Sequence, residues 1–541
     1  MDPDNFQDLH FPAAGIDRHN PVFKQPNAPV GPEQKYCRSC RVGENVRGFD
    51  PLHVRIRGGS RPGLLKWNPA QMNGSGASTI QDLNILVSAE AGMGQTSLSL
   101  RQIRVVGVTE GNVYSAIGTD TSWLAAINDT GNPQPLVTGT TQLPYSAVNV
   151  GKLWYVDGTN YCYYDPADNT VHPWVATAGI LPRGGDGGTP RLICTWRGRT
   201  VLSGLVANPN QWFMSRVNVP TDFDYAPLSS DPTQAVAGQL GPLGLMGDAI
   251  TALIPFNDDV LFVGCDHSLY MIRGDPNAGG QIDFISDIIG VAWGQAWCRG
   301  PDGTIYFHSN RGGVYSIVPG QQPQRMSMAI EEILFAVDTG QTPIRMVWDD
   351  HYQGFNIWRT YLPDPATSTH LFWEGRVGAW WQDSFANVDH NPITTCVYDG
   401  NLPTDRAVLI GSYDGYVRMI RNDAADDDGT PIQSQVAIGP LITANFDEIL
   451  LKDLQGMIGA TSGLVSWSIY AGDSPETALS NVVRATGTFA AGLNYSEQVR
   501  IAGHSIYVVL SSTVQWAMET IRVRLATQGK VRMRGAKGGN N

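Results

Sequence analysis

DGTIYFHSNRGGVYSIVPG, residues 302–320, contains two short apolar runs joined by a polar hinge with two adjacent glycines. Aromatic and β-branched residues favour strands, and Asn-Arg-Gly-Gly supplies the backbone freedom that a tight hairpin needs. Similar pairs of runs occur elsewhere, as DDVLFVGCDHSLYMIRG from Asp258 and RAVLIGSYDGYVRMIRN from Arg406. The sequence therefore repeats a β-hairpin unit.

The repeat is regular enough to predict an architecture. The central strands of the repeated units fall at Val113, Trp154, Val201, Leu261, Ile305, Phe355 and Val408. Their spacings are 41, 47, 60, 44, 50 and 53 residues. Short strands recurring every 40–50 residues or so are typical of propeller blades, which protect one another's edges by radial stacking. We expect an all-β protein with a β-propeller of six or seven blades; a pair of β-sandwiches is the alternative.

The flanking segments differ from the propeller in composition. We predict an extended N-terminal arm at 1–45, a basic β segment joining arm and propeller at 46–98, the propeller at 99–425 and a C-terminal β-sandwich-like domain with a basic tail at 426–541. The arm is rich in Pro, Asn and Asp and lacks periodicity, so it needs something to hold it in place. We expect it to lie along a neighbouring subunit or partner.

Composition agrees with the all-β prediction. The chain has 541 residues, 60 of them Gly and 34 Pro, and few windows keep helical apolar spacing. No window approaches the roughly 20 apolar residues of a membrane helix, and the N-terminus lacks the basic start and apolar core of a secretion signal. We expect no membrane span and synthesis in the cytoplasm. Single cysteines in apolar runs are expected to be buried free thiols, namely Cys162, Cys194, Cys265, Cys298 and Cys396.

Charge is distributed unevenly along the chain. The formal net charge is −13, yet residues 35–66 and 521–541 each carry +6, which leaves −25 for the remainder. Such asymmetry bears on partners rather than on fold. Docking of the basic segments on acidic surface of the same assembly is favoured over nucleic-acid binding.

One cysteine pair has the spacing of half a metal site. Cys37 and Cys40 form a Cys-x-x-Cys pair, but structural zinc needs four ligands and no second pair exists. His10, His19 and His53 follow no ligand spacing. The redox version of the motif normally opens a helix in a βαβ unit, which is not predicted here. We expect neither a metal nor a redox function.

Two other segments resemble ligand loops superficially. AEAGMGQTS (89–97) has the glycines of a phosphate loop, but Gln95 stands where the lysine should be. NDAADDDGT (422–430) resembles a calcium loop, but Ala424 and Gln435 occupy two essential ligand positions. We interpret the second segment as a solvated linker.

Catalytic signatures are missing from the sequence. It contains no Gly-x-Ser-x-Gly elbow, no His-Glu-x-x-His and no repeated sialidase-type turn. Paired carboxylates sit where hairpin turns are expected, at Asp258, Asp259, Asp349 and Asp350. Three tryptophans could stack on sugars, although burial between blades is favoured: Trp373, Trp380 and Trp381. We expect no enzyme activity, no catalytic residues, no cofactor and no metal.

Four stretches together resemble the tail nozzle (tail tubular) proteins of short-tailed bacteriophages. ENVRGFDPLHVRIRGGSRPGLLKW (44–67) is similar to their Arg- and Gly-rich opening, and GDPNAGGQIDFISDIIGVAWGQAWC (274–298) to their propeller. GMIGATSGLVSWSIYAGDSPETA and GHSIYVVLSSTVQWAMETI resemble their C-terminal β-domain. The resemblance covers most of the chain from about residue 44.

The resemblance implies a structural virion protein in the tail. Such a protein would form a cyclic homo-oligomer, a hexamer, below the portal and adaptor rings, contact tail fibre or spike proteins, and conduct genomic DNA without sequence-specific binding. An acidic body would suit a channel wall that must not grip DNA, so we expect acidic loops in the lumen. The alternatives are a carbohydrate-binding or glycosidase propeller at the tail tip and a head-completion plug.

Overall fold

The structure is a computed structural model, in which the chain forms two compact units. It describes residues 6–22, 25, 38–74, 76, 78–89, 101–118, 120–129, 136–138, 142–226, 231–241, 247–400, 402–443, 447–495 and 497–527. The smaller unit comprises residues 1–64, 372–386 and 421–541, and the larger unit comprises 65–371 and 387–420. Among the described residues, no helix has the length and apolar character required to cross a bilayer.

The chain begins with five short strands. They are β1 (Phe6–Leu9), β2 (Gly43–Glu44), β3 (Val46–Arg47), β4 (Gly59–Ser60) and β5 (Gly63–Lys66). The next strands, in the larger unit, build the first three of its small sheets. They are β6 (Ile80–Ala89), β7 (Arg101–Thr109), β8 (Asn112–Ile117) and β9 (Leu124–Ala125); β10 (Ile127–Asn128), β11 (Tyr145–Asn149), β12 (Lys152–Val156), β13 (Tyr161–Asp165) and β14 (Thr170–Pro173); and β16 (Leu192–Trp196), β17 (Arg199–Ser203), β18 (Gln211–Met214) and β20 (Val236–Gln239). Beside the third sheet in the sequence, β15 (Ala178–Gly179) and β19 (Asp222–Phe223) form a separate two-stranded parallel sheet.

Four further sheets follow in the same order. Their strands are β21 (Ile250–Asn257), β22 (Val260–Cys265), β23 (Leu269–Arg273) and β24 (Gln281–Ser286); β25 (Trp297–Arg299), β26 (Ile305–Ser309), β27 (Gly313–Ile317) and β28 (Gln324–Arg325); β29 (Ile344–Asp349), β30 (Gly354–Arg359) and β31 (His370–Glu374), which crosses the unit boundary; and β33 (Thr394–Tyr398), β34 (Ala407–Gly411) and β35 (Val417–Arg421). The one α-helix of the described residues is α1 (Glu331–Phe335). The 3₁₀ turns are Pro276–Ala278, Met328–Ile330, Pro365–Thr367, Val388–His390, Pro403–Asp405 and Ala478–Ser480.

These sheets are the blades of a closed propeller. First strands of neighbouring blades contact each other from β6 through β11 and β16 to β21 and from β25 through β29 to β33, and β33 of the last blade contacts β6 of the first. The fourth and fifth blades are joined by an apolar cluster. The seventh sheet also includes β5, and the backbone N–H of Trp67 donates to the Val417 carbonyl at 2.9 Å. The described part of the larger unit therefore holds seven blades, and the propeller prediction is confirmed.

The apolar core lies between neighbouring blades, as radial stacking requires. One cluster joins Leu153 of the second blade to Val106 of the first, and another joins Phe262 of the fourth to Phe307 of the fifth. Between the fifth and sixth blades, the rings of Tyr306 and Phe355 lie 4.9 Å apart. Each blade thus buries its two faces on its neighbours, which is why no blade is stable alone.

The hairpin at residues 302–320 has the predicted form. Its strands are β26 and β27, and Gly312 has φ +75°, a conformation that side-chain-bearing residues rarely adopt. Six of the seven predicted central strands are the second strand of their blade, whereas Val113 lies in the third strand, β8. The first blade begins earlier than predicted, at Ile80.

The observed bounds of the two units differ from the predicted domain bounds because the first blade begins earlier in the chain. The larger unit begins at Leu65 and not at 99, since β6 and the chain entering the seventh blade both lie in the segment predicted to be a linker. The smaller unit takes in residues 1–64 and 372–386 in addition to the predicted C-terminal domain. Strands from distant parts of the sequence pair in it, which a reading along the chain does not reveal.

The smaller unit contains two main sheets. Its remaining strands are β32 (Ala379–Asp383), β36 (Ser434–Leu441), β37 (Ile449–Ile458), β38 (Val465–Gly472), β39 (Ala485–Phe489), β40 (Gly492–Leu493), β41 (Glu497–Gly503), β42 (Ser505–Ser512) and β43 (Met518–Thr527). One sheet has the order β1-β43-β37-β40 with β41 on β37, and the other contains β32-β2-β36-β42-β38-β39. A Cβ on Gly456 of the first sheet would lie 2.8 Å from the Phe489 ring of the second, so the sheets pack face to face.

The N-terminal segment packs on this unit of its own chain. β1 pairs antiparallel with β43, and Leu9, Phe11 and Ile16 are buried. We predicted that the arm would lie along a neighbouring subunit. The structure instead places this segment on its own chain, where Leu9, Phe11 and Ile16 are covered and Phe6 is 38% exposed. Residues 1–5, 23–24 and 26–37 of the predicted arm lie outside the described residues.

Candidate functional site

A buried polar cluster lies at the hub of the propeller, where the first strands of three blades approach. Asp82 comes from β6, Ser146 from β11 and Arg345 from β29. The Ser146 hydroxyl donates to Asp82 Oδ2, and Asn84 Nδ2 donates to Ser146 Oγ at 3.1 Å. The Arg345 guanidinium carbon lies 4.6 Å from the ring centre of Tyr145. Ionisable side chains thus lie buried among the first strands of the blades.

Burial controls the electrostatics of this hub. Asp82 and Arg345 are each 1% exposed. Burial raises the pKa of Asp82 to about 6, although the Ser146 hydroxyl and the charge of Arg345 act in the opposite direction. Burial also raises the pKa of Tyr145, and the Arg345 charge opposes that shift. Asp82 Oδ1 and both terminal nitrogens of Arg345 have no hydrogen-bond partner among the described residues.

Two cavities adjoin the hub within the larger unit. One, of about 280 Å³, is lined by Asn84, Tyr145, Ser146, Ala147, Val148, Leu192, Ile193, Cys194, Thr195, Leu253, Pro255, Gly294, Gln295 and Trp297. The other, of about 490 Å³, is lined by Gln142, Leu143, Tyr145, Arg191, Ala292, Trp293, Thr339, Gly340, Gln341, Thr342, Pro343, Ile344 and Leu362. The larger one lies where the first strands of four blades begin, which in propellers is one mouth of the central channel. The hub therefore places the Asp82 carboxyl, whose pKa is raised, and the buried Arg345 guanidinium beside cavities that have room for a small molecule.

The segment with the spacing of half a zinc site, for which we expected no metal, is described only from Arg38 onward. Cys40 is buried, its thiol donates to the Gly15 carbonyl at 3.5 Å, and burial raises its pKa well above the usual range. His10, His19 and His53 are exposed, and Cys37 lies outside the described residues. In the described ranges, one group brings three potential metal-ligand atoms within 4.8 Å, namely Asp248, Asp266 and His267. Their atoms already exchange contacts with one another and with backbone N–H groups of the turn.

The two loop-like segments have structural explanations where they are described. Residues 90–97 of the phosphate-like segment lie outside the described residues. In the calcium-like segment, Asp426 accepts from the backbone N–H of Gly429 at 2.9 Å, and Asp427 pairs with Arg61 at 2.6 Å. Asp427 is buried, so the interpretation of this segment as a solvated linker is wrong at that position.

The paired carboxylates lie at hairpin turns, as predicted. Asp349 accepts from the backbone N–H of His351 at 2.9 Å, and burial raises its pKa to about 6. Asp350 pairs with Arg406 at 2.6 Å. Asp258 and Asp259 are exposed between β21 and β22.

The three tryptophans proposed as sugar platforms are not free surfaces. Trp380 and Trp381 are 2% and 0% exposed, and Trp381 lies 5.8 Å from the ring of Phe11. Trp373 is half-buried. The favoured expectation of burial holds for the first two, but in the smaller unit and not between propeller blades. A different tryptophan, Trp293, is 37% exposed and lines the larger hub cavity.

Sequence reasoning missed the hub completely. Asp82, Ser146 and Arg345 belong to three blades far apart in the sequence, and no spacing rule connects them. The available signal was one polar or charged residue near the start of each of these first strands: Asp82 in IQDLNILVSA, Ser146 in YSAVN and Arg345 in IRMVWD. That signal becomes readable only after the first strand of every blade has been assigned.

Comparisons with known proteins show similarity in fold alone. No family model matches the chain, and no curated protein matches its sequence. Among solved structures, the extracellular domain of the one-component system BT4673 from B. thetaiotaomicron is 15% identical with a TM-score of 0.43, covering 73% of this chain and 46% of that one. Virginiamycin B lyase from Staphylococcus aureus is 9% identical with a TM-score of 0.39, covering 66% and 98%. YCF48 from Cyanidioschyzon merolae is 9% identical with a TM-score of 0.36, covering 66% and 98%. The chain thus spans less than half of the BT4673 domain, and similarity at this level carries no information about function.

Proposed function

We propose that this chain is a structural virion protein, one copy in a ring of six that forms the nozzle of a short phage tail. The ring would sit below the portal and adaptor, contact fibre or spike proteins and conduct and retain genomic DNA. A closed ring needs a heterologous interface whose rotation closes on itself. In this role the propeller is a scaffold and its charge repels DNA.

The segment at residues 44–67 is the observation that carries the proposal. It is the Arg- and Gly-rich stretch on which the resemblance rests, and the smaller unit constrains it tightly. A Cβ on Gly58 would lie 2.0 Å from the Phe11 ring, and one on Gly59 would lie 2.2 Å from the Trp516 carbonyl oxygen. Buried Arg47 pairs with Asp383 at 2.6 Å. The stretch on which the resemblance rests is thus an ordered part of the fold, held by close packing at its glycines and by a buried ion pair at Arg47.

The charge distribution supports a conduit. Residues 65–371 and 387–420 carry 17 Lys and Arg against 30 Asp and Glu, so the propeller unit has a net charge of −13, equal to that of the whole chain. The basic residues near the N-terminus are largely neutralised in the smaller unit, for example Arg57 by Asp50 at 3.0 Å. Few cations then remain to grip phosphates and slow a moving duplex.

The test is symmetry-averaged cryo-electron microscopy of purified particles whose genome encodes this chain. We expect six copies of a seven-bladed propeller around an open channel below the portal. Peptide mass spectrometry of the same particles is the independent control for presence. Particles without the chain, or density in which it forms no ring on the tail axis, would exclude the proposal.

A further inference from the structure

The larger hub cavity has the size and position of a binding site. Its volume is about 490 Å³, within the usual range for small-molecule sites of roughly 300–1,000 Å³. Its walls come from four blades of the larger unit: Gln142 and Tyr145 from the second, Arg191 from the third, Trp293 from the fifth and residues 339–344 from the sixth. We propose that this cavity binds an anionic saccharide, a pyranose that bears a carboxylate.

The residues that line the cavity indicate that the ligand carries a negative charge. Arg191 is the one charged residue among the lining side chains, and no carboxylate lines the cavity, although the unit as a whole carries 30 acidic residues. Arg345 adds a second buried positive charge behind the Tyr145 ring. A guanidinium recognises a carboxylate through parallel hydrogen bonds, and Arg191 has no carboxylate beside it in the cavity lining, whereas Arg345 shares the hub with Asp82.

Two buried donors of the lining residues have no acceptor among the described residues. Arg191 Nε and Gln142 Nε2 are buried and have no hydrogen-bond partner among the described residues. A Cβ on Gly158 would lie 2.3 Å from Gln142 Nε2 and 3.0 Å from Arg191 Nε, so the glycine leaves room for both side chains at one place. Buried donors without acceptors are costly, so a small shift of either side chain toward a carboxylate or sugar hydroxyl in the cavity would be favourable.

An aromatic surface supplies the other half of sugar recognition. Trp293 is 37% exposed in a protein whose other large rings are mostly buried. Its backbone is fixed on both sides, because Ala292 N–H donates to the His308 carbonyl and Gly294 N–H to the Thr251 carbonyl, each at 2.8 Å. A rigid exposed indole offers the apolar face of a pyranose a large contact area at little entropic cost. The combination of one indole face with amide and guanidinium donors favours a charged sugar over an apolar ligand.

Isothermal titration calorimetry of the full chain tests this proposal with three probes: α-1,4-linked trigalacturonate, maltotriose and inorganic phosphate. We expect saturable binding of trigalacturonate, with maltotriose and phosphate at least tenfold weaker. Arg191→Gln and Trp293→Ala should each weaken trigalacturonate at least tenfold. Arg325→Gln, an exposed arginine outside the cavity, is the matched control and should leave the affinity unchanged.

Each other outcome counts against the site. Absence of trigalacturonate binding, equal affinity for maltotriose, or equal affinity for phosphate would overturn the assignment of an anionic saccharide. Affinity that survives both substitutions would place the ligand elsewhere. Unfolding midpoints of the variants establish that a loss of affinity is not a loss of fold. The inference rests on the cavity and not on the tail proposal, since no result here depends on ring formation.

Discussion

At the scale of single residues, a histidine inside the fifth blade should make stability depend on pH. His308 is fully buried, neither ring nitrogen has a hydrogen-bond partner among the described residues, and burial together with the Arg359 charge lowers its pKa to about 3. The unfolded chain takes up this proton near pH 6.5, whereas the folded chain does not until about pH 3. The stability contributed by neutral His308 is therefore complete above pH 6.5 and is lost as the pH falls.

Replacing His308 should remove this dependence. Relative to His308→Leu, we expect the native chain to lose about 1.4 kcal/mol of unfolding free energy per pH unit below pH 6.5, or about 2 kcal/mol between pH 6.5 and 5. Guanidinium chloride titrations at pH 7.5, 6 and 5 measure the difference. His53→Leu, which changes an exposed histidine, should run parallel to the native chain. A His308→Leu profile with the native slope would contradict the prediction.

The hub carboxyl should act in the opposite direction. Because the pKa of Asp82 is raised to about 6 in the folded chain, its stabilising contribution is present below the unfolded value of about 3.9 and is lost as the pH rises through 6. The stability of Asp82→Asn relative to the native chain should therefore rise by about 2 kcal/mol between pH 4 and pH 7. The same denaturant titrations apply, with exposed Asp258→Asn as the control. No relative gain would mean that Asp82 is ionised in the folded protein at pH 4.

Removing one partner of a buried ion pair in the smaller unit should destabilise the protein more than removing both. Arg61 donates to both Asp427 oxygens, at 2.8 and 2.6 Å, and both side chains are almost fully buried. Arg61→Met leaves a buried carboxylate alone and should cost about 3–5 kcal/mol, whereas adding Asp427→Leu should recover most of that loss. Unfolding midpoints of the single and double variants decide this. Arg522→Ala, which breaks an exposed pair with Asp8, should cost less than about 1 kcal/mol.

At the scale of elements, the seventh blade is where the ring of the propeller closes. The Trp67 ring lies 5.7 Å from that of Trp123 in the first blade and 5.5 Å from that of Tyr398 in the seventh. Trp67→Ala should cost about 3 kcal/mol and loosen this closure first. Hydrogen exchange should rise in β33–β35 before it rises in β21–β23 on the other side of the ring. Trp293→Ala is the control, and a uniform rise across all blades would contradict a local closure.

How far the sequence predicted these elements depends on the range of the interactions. Hairpins such as β26–β27 are set by neighbouring residues, for example Gly312 in the turn, and were predicted. The start of the first blade was not, because β6 pairs with β7 across an intervening segment and the seventh blade recruits β5 from the N-terminal side. The hub was missed for the same reason: Asp82 and Ser146 are 64 residues apart and meet only when the first strands of the first two blades pack together.

At the scale of the whole molecule, the acidic propeller should keep DNA away. With a net charge of −13 on the chain and all of it in the propeller unit, we expect no binding of a duplex at 150 mM salt tighter than about 10 μM. Fluorescence anisotropy with a labelled 30-base-pair duplex measures this. Any residual affinity should come from the six Lys and Arg of residues 521–541 and should fall when residues 528–541, which carry four of them, are deleted. Submicromolar binding that survives this deletion and weakens steeply with salt would mean that the propeller itself grips DNA, and a conduit built from such subunits would hold its cargo rather than release it.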